Sequence, residues 1–503
     1  MKHSEHGSGR GRQDEHIMKK FGNIVPDESN STMIDNRWLN LHAECQDQIA
    51  TTQQVSGTHQ RTIPLALAVA IVFLPWAVGT KSAQAQTLKV LYTFAGGNDG
   101  GNPVGGLIGD AKGNLYGTTC CDGTHGAGTV FILDMAGKET VLYNFTGGAD
   151  GNQPFADLIR DAKGNLYGTT FWGGGSAPCN GGNGCGVVFR LDTTGKETVL
   201  HAFTGTGGDG ANPYDGLVQD PNGNLYGTTV YGGSSGACSG GCGVVFEVTE
   251  AGKEEVLHSF SAGTDGANPY AGLVRDAEGN LYGTTNSGGS YGEGTVFKLD
   301  NTGRERVLYT FTGGADGGQP LLGYLLRDAE GNLYGTTVRG GAPSCSFLCG
   351  TVFELERSGK ETVLHGFVGG TDGANPYAGL VGDAEGNLYG TTNQGGASGY
   401  GTVFKLDKAG NETLLHTFTG TGGDGAYPFD DLLRDAKGNL YGTTFGGGAN
   451  GCFGYGCGIA FMQTLDGLFE TQLATDWKLV RFYVPIRFAE PIPLPAFTIS
   501  LGL

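Results

Sequence analysis

Basic residues are scarce in this sequence: lysine and arginine number 31 against 50 aspartates and glutamates, leaving a net charge of −19. Positions 1–85 balance eight basic against eight acidic side chains, so the whole excess belongs to residues 86–503. A surface of that sign repels phosphate, which argues against nucleic acid and anionic lipid headgroups as partners. It suits a soluble extracellular protein, or one that meets cations. Helical periodicity is also missing from the bulk of the chain. There is no nucleophile elbow, P-loop, dinucleotide fingerprint or HExxH, so the common motif-borne chemistries are excluded. A long apolar run is lacking too: the uncharged stretch from Ile63 ends at Val78 and is interrupted by Pro64 and Pro75, which is short of the ~20 residues that a spanning helix needs.

Glycine, by contrast, is abundant, at 95 of 503 residues. It recurs at fixed places among Tyr, Phe, Val and Leu, as turn punctuation does, rather than in a Gly-X-Y period. Residues 1–60 are polar and unlike the rest. Arg61, the apolar stretch and Ala83-Gln84-Ala85 follow in the order of a signal peptide, basic residue, apolar core and small-x-small exit. Residues 61–85 are therefore expected to be a cleaved export signal, with the mature chain starting at Gln86. Because the whole polar stretch 1–60 precedes that signal, the true start is expected downstream of Met1. The competing reading is a single-pass membrane protein anchored through residues 62–80.

The heptapeptide GNLYGTT occurs seven times without variation, starting at Gly113, Gly164, Gly223, Gly279, Gly331, Gly386 and Gly438. One copy in every fifty-odd positions marks a propeller or solenoid. Each unit reads as four short strands, as in Gly272 to Asp276, Leu281 to Thr285, Gly294 to Asp300 and Glu305 to Phe311, separated by turn residues. The fold class expected is all-β, a seven-bladed β-propeller of four-stranded blades spanning 86–463. The fourth strand of the seventh unit is degenerate. A matching sequence, Leu88 to Phe94, stands before the first complete unit, so an N-terminal strand is expected to close the ring. Tyr116, Phe131 and their equivalents in the other six units are assigned to packing between blades.

The unit, roughly GGxDGxxPxxGLxxDxxGNLYGTTxxGGxxxxGxVFxLDxxGxExxLHxF, resembles the Gloeo/Verruco (GloVer) tandem repeat of bacterial extracellular proteins. Its hairpin DxxGNLYG is similar to NHL-type propellers. The resemblance runs from position 87 to the neighbourhood of position 463; it implies a surface-exposed β-propeller and no particular activity. Residues 464–503 form a divergent, proline-punctuated tail without a sorting motif.

Ten of the 11 cysteines lie beyond the signal. The loop between second and third strands is short and of constant length in units one, four and six, and is extended in units two, three, five and seven. Each extended loop carries a pair: Cys179/Cys185, Cys238/Cys242, Cys345/Cys349 and Cys452/Cys457. Local disulfides are expected in an oxidising compartment. Thiolate metal binding is the weaker alternative, since a structural zinc site wants four ligands. Adjacent Cys120 and Cys121 fit either a vicinal disulfide or two thiols.

The inter-unit loops carry Asp99, Asp150, Asp209, Asp265, Asp316, Asp372 and Asp424. Such a series would attract cations, calcium above all, or would cap its own turns. His201, His258, His365 and His416 share a fourth-strand position with Tyr92, Tyr143 and Tyr309, which reads as an amphipathic site rather than catalysis. Residues that break the repeat on the long-loop face are candidate ligand contacts: Trp172, Tyr231, Tyr291, Arg339, Tyr400 and Tyr455, with Phe171, Phe347 and Phe453 nearby. They suit stacking on sugar rings or gripping a polypeptide; shielding of the loop disulfides is the other reading. No catalytic residue is assigned. The functions weighed are a monomeric binding or adhesion scaffold for an extracellular glycan or protein, a structural surface element, and a polysaccharide hydrolase or lyase. The last needs paired, non-equivalent carboxylates, which the repeat does not display.

Overall fold

The computed structural model describes residues 87–175, 179, 182–341, 349–448 and 451–465, apart from the side chain of Phe453. The chain separates into Met1–Ile71 and Val72–Leu503, and every described residue belongs to the second unit. The expected signal, most of the tail, Cys345 and Phe347 lie outside the described residues. Among the described residues no helix is long and apolar enough to cross a membrane.

Seven four-stranded antiparallel sheets follow one another as blades of a closed propeller. Blade 4 is typical, with strands Val274–Arg275, Leu281–Thr285, Thr295–Leu299 and Glu305–Thr310 from the axis outward. Blade 7 takes Leu433–Arg434, Leu440–Thr444 and Ile459–Gln463 from the C-terminal end of the ring and Leu88–Thr93 from the N-terminal end. The pairing of Leu88–Thr93 has the irregularity of every other outer pair. Val90 faces Phe461 and Tyr92 faces Ala460, just as Val307 faces Phe297 and Tyr309 faces Val296. A bulge at one register position in all blades marks the N-terminal segment as a true fourth strand.

Five positions of the invariant heptapeptide have a physical reason visible in blade 7. Asp435 accepts the Asn439 N–H at 2.8 Å, its side-chain amide at 2.8 Å and the Tyr441 hydroxyl at 3.1 Å, which closes the hairpin. Gly442 lies under the Phe461 ring, where a Cβ would stand 2.7 Å from the ring tip. Thr443 donates to the Gly105 carbonyl of blade 1 at 3.2 Å, and Thr444 to Gly446 at 2.8 Å. One threonine therefore joins adjacent blades and the other shapes the loop that follows.

Each seam is filled by a pair of phenylalanines. The residue ending one outer strand meets the third-strand Phe of the next blade edge-on, from Phe145–Phe189 at 5.1 Å round to Phe418–Phe461 at 5.4 Å. Phe94–Phe131, at 5.1 Å, makes the same contact where blade 7 meets blade 1. The innermost strands, such as Val274–Arg275, are shorter than the stretch Gly272 to Asp276 that the sequence suggests. The Gly272 N–H turns instead to a carboxylate of Asp215 at 2.8 Å, so the ladder stops before it.

Candidate functional site

The inter-unit loops and the second-to-third loops share one face. Within each unit they bridge, as Asn152 does to Trp172 and Ala374 to Gln394. Between units, the residue before the loop proline donates its N–H to the preceding blade, as Asn212 does to the Cys185 carbonyl at 2.7 Å. Cys179–Cys185, Cys238–Cys242 and Cys452–Cys457 are disulfides, which removes thiolate metal binding from those loops. Cys349 is also disulfide-bonded. Cys120 and Cys121 are buried, with their Sγ atoms 2.7 Å apart.

The loop aspartates do not converge on one point. Each caps its own turn, as Asp265 does by accepting the Ser261 N–H at 2.9 Å and hydroxyl at 2.6 Å. Each also reaches its own outer strand: Asp99, Asp150 and Asp316 accept from Tyr92, Tyr143 and Tyr309, while Asp209, Asp265, Asp372 and Asp424 face His201, His258, His365 and His416. The next blade's outer strand adds a glutamate to six of these seams, namely Glu139, Glu197, Glu254, Glu305, Glu361 and Glu412. The histidine position, expected to be amphipathic, places each ring against a specific aspartate.

These seams make stability depend on pH. In the three tyrosine seams Glu139, Glu197 and Glu361 are pushed up to about 7, first by burial and then by Asp99, Asp150 and Asp316. An unfolded glutamate titrates near 4.3. A carboxyl whose folded value is raised stabilises fully below the unfolded value and loses that contribution as pH rises through the folded one. The melting temperature is therefore expected to fall by a few degrees between about pH 4.5 and 7 and to level off above, the half-exposed positions keeping the change modest. Calorimetry across that window checks it. The triple change Glu139→Gln, Glu197→Gln, Glu361→Gln should make the fall shallower, leaving the part that Glu305 and Glu412, raised to the same value, contribute, and an unaltered slope would place the titration elsewhere.

The ligand-contact candidates separate into two groups. Trp172, only 5% exposed, and Phe171 pack beneath the surface, against each other and, through Phe171, on Tyr214. Arg339 is half-buried and pairs with Glu293 at 3.7 Å, and Tyr231 is half-buried in the core of blades 2 and 3. Tyr291 is 65% exposed. Tyr400 and Tyr455 are brought together by a third ring, Tyr427, whose centroid lies 5.4 Å from one and 6.5 Å from the other, each contact near-perpendicular. Tyr455 is 46% exposed and sits inside the loop pinned by Cys452–Cys457. Burial and the two neighbouring phenols push the Tyr427 hydroxyl up.

Tyr427 occupies the position before the loop proline, where the backbone is left-handed in all seven units, with φ from 53° to 57°. Asparagine tolerates that conformation and supplies an amide to the preceding blade, as Asn102 does to the Phe445 carbonyl at 2.8 Å and Asn212 to Phe171 at 2.8 Å. A tyrosine there brings backbone strain and no such amide. Sequence reasoning missed it, although Ala-Tyr-Pro in place of Ala-Asn-Pro was the signal.

A second departure from the repeat lies on the axis. The two residues before the innermost-strand leucine are both small in units one, four and six, but they include Asp157 in unit two, Asp215 in unit three and Asp430-Asp431 in unit seven. All four carboxylates are buried. They reach across blades: Asp157 accepts from Gly106, Asp215 from Gly216, Gly272 and Gly323, and Asp431 from Gly379. Burial and the charge of Asp157 raise Asp215, and burial with Asp157, Asp215 and Asp431 raises Asp430. Tyr324, from a one-residue insertion in unit five, lies against Gly216 and Gly272, where a Cβ would stand 2.1 and 2.4 Å from it. Above this floor are aromatic rings, with Phe155 stacked on Tyr214 at 5.0 Å and Tyr377 on Phe429 at 5.5 Å.

The Gloeobacter/Verrucomicrobia repeat family matches over residues 79–240 and 231–455. No match is found among curated proteins. Among solved structures, a protein assigned as a gluconolactonase is similar over 76% of this chain and 93% of its own, at 12% identity and a TM-score of 0.38. The extracellular domain of an assigned one-component system from B. thetaiotaomicron is similar over 75% of this chain and 40% of its own, at 10% identity and a TM-score of 0.46. A Bacteroides uniformis protein assigned as a 6-phosphogluconolactonase is similar over 65% of this chain and 86% of its own, at 16% identity and a TM-score of 0.41. Likenesses of this depth carry no argument about activity.

Proposed function

The chain belongs to the Gloeobacter/Verrucomicrobia repeat family, and from that premise we propose that it is an exported binding scaffold whose long-loop face engages an extracellular glycan or protein. The disulfides, the acidic surface and the signal-like residues 61–85 support export. The tyrosine cluster Tyr400, Tyr427 and Tyr455 supports binding, and the carrying observation is the left-handed backbone at Tyr427. Strain retained against an available asparagine points to a use for the ring. Flat, half-exposed phenols, one of them on a disulfide-pinned loop, suit a sugar face.

The test restores the repeat's own residue. Tyr427→Asn is expected to raise the unfolding free energy by about 1 kcal/mol, by relieving left-handed strain, and to weaken ligand binding by roughly tenfold or more. A glycan array followed by calorimetric titration of the bound sugar reads the second effect, and thermal melts read the first. Undiminished binding by the variant would remove the cluster from the site. A silent array with capture of a defined extracellular protein would make the ligand a protein. Silence in both would leave a structural surface element.

A second reading, a polysaccharide hydrolase or lyase, is favoured by one observation: the axial aspartates are non-equivalent, and burial raises two of them. Against it, their oxygens already receive main-chain N–H groups from several blades.

A further inference from the structure

We propose that the seam between blades 5 and 6 binds a zinc-class divalent cation through His365 Nε2, Asp372 Oδ1 and Glu412 Oε1. The three side chains come from separate segments: the outer strand Glu361–Gly366 of blade 5, the loop after it, and the outer strand Glu412–Thr417 of blade 6. One ligand atom from each lies within 4.8 Å of the other two. All three named atoms are buried, and none has a hydrogen-bond partner among the described residues. Leaving a buried polar atom unsatisfied is costly; a single cation at their centre would satisfy all three.

The surroundings hold these atoms in place. The other oxygen of Asp372 accepts the Val368 N–H at 2.9 Å and lies 3.9 Å from His365 Nε2. The His365 ring stands edge-on to Phe367, with centroids 4.7 Å apart. One imidazole and two carboxylates form a three-ligand set of the kind zinc takes with water in a fourth position. Calcium wants six to eight oxygens and has no use for the imidazole. The cation would join adjacent outer strands, so its role is to clamp the ring, separately from ligand binding on the loop face.

The repeat supplies its own comparisons. His201, Asp209 and Glu254 have the same spacing at another seam of the outer belt, but there the imidazole already meets Asp209 at 3.4 Å, so this seam is the weaker site. Where blade 6 meets blade 7, His416 and Asp424 recur but Leu88 stands in the register position of the glutamate. His416 bonds Asp424 at 3.2 Å. In the tyrosine seams a phenol donates to the aspartate, which leaves no imidazole for a metal.

The experiment uses the full chain, freed of affinity tag and stripped with a chelator, then equilibrated with zinc or calcium. Bound metal is counted by elemental analysis, and stability is followed by thermal melts. Zinc is expected to be retained and to raise the melting temperature by several degrees, with calcium having no effect. His365→Ala and the near-isosteric Glu412→Gln should each lose one zinc equivalent and most of the thermal shift, while melting like the wild type in chelator. Wild-type protein that retains no zinc, variants that retain the full complement, or calcium in place of zinc would each overturn the proposal. Should His365→Ala fail to fold, Glu412→Gln alone decides.

Discussion

Phe94→Ala is expected to lower the unfolding free energy by about 3–5 kcal/mol, the cost of emptying a large, fully enclosed aromatic site. Phe94 is completely buried. It packs with Leu107, Leu115, Phe131, Cys457 and Ala460, which come from blade 1 and blade 7. Its ring meets Phe131 at 5.1 Å, and its N–H reaches the Gly458 carbonyl at 3.1 Å. It thus holds the N-terminal outer strand of blade 7 to blade 1 and to the C-terminal strands of its own blade, to which no chain link joins it. The comparison is Phe311→Ala, which empties the same contact, Phe311–Phe353 at 5.2 Å, in the middle of the chain. Denaturant melts of the two variants should give equal losses. A much smaller loss for Phe94→Ala would mean the ring stands open at its closure.

The architecture was legible because one unit repeats seven times with its turn chemistry intact. GNLYGTT announces a hairpin, a buried strand and the loop after it, and the outlying Leu88 to Phe94 resembles the other fourth strands closely enough to identify the latch. Less legible was the partnership of residues whose identity looks ordinary in one dimension. The outer-strand glutamate reads as a solvated charge at the start of a strand, and only the seam brings Glu412 to His365 and Asp372. The Asp series was seen, as was the turn-capping alternative, which every turn fulfils. Of the aromatic candidates, Tyr400 and Tyr455 were singled out by their departure from the repeat, while Tyr427, at an unassigned position before the loop proline, was passed over. Trp172 departs from the repeat equally but points inward, because loop residues fill the space under their own insertion as readily as they face solvent.

Asp215→Ala is expected to cost about 3–5 kcal/mol, because it strands main-chain N–H groups of three glycines in a buried axis. Gly216 donates to one oxygen at 2.7 Å, and Gly272 and Gly323 to the other at 2.8 and 3.3 Å. These donors belong to blades 3, 4 and 5, so one carboxylate ties three blades at the centre of the ring. Asp215→Asn keeps one acceptor oxygen and should cost less than half as much. The sign of the asparagine effect separates the two roles the axis can have. A brace loses stability when its acceptor is halved. A catalytic carboxylate held beside Asp157 at the expense of the fold gains stability when its charge is removed, and turnover disappears with it. Thermal melts of Asp215→Asn beside assays on polysaccharide substrates therefore test the second functional reading directly. Destabilisation with no wild-type turnover leaves the axial aspartates as the rivets of a binding scaffold, whereas stabilisation with lost turnover makes them acid and base.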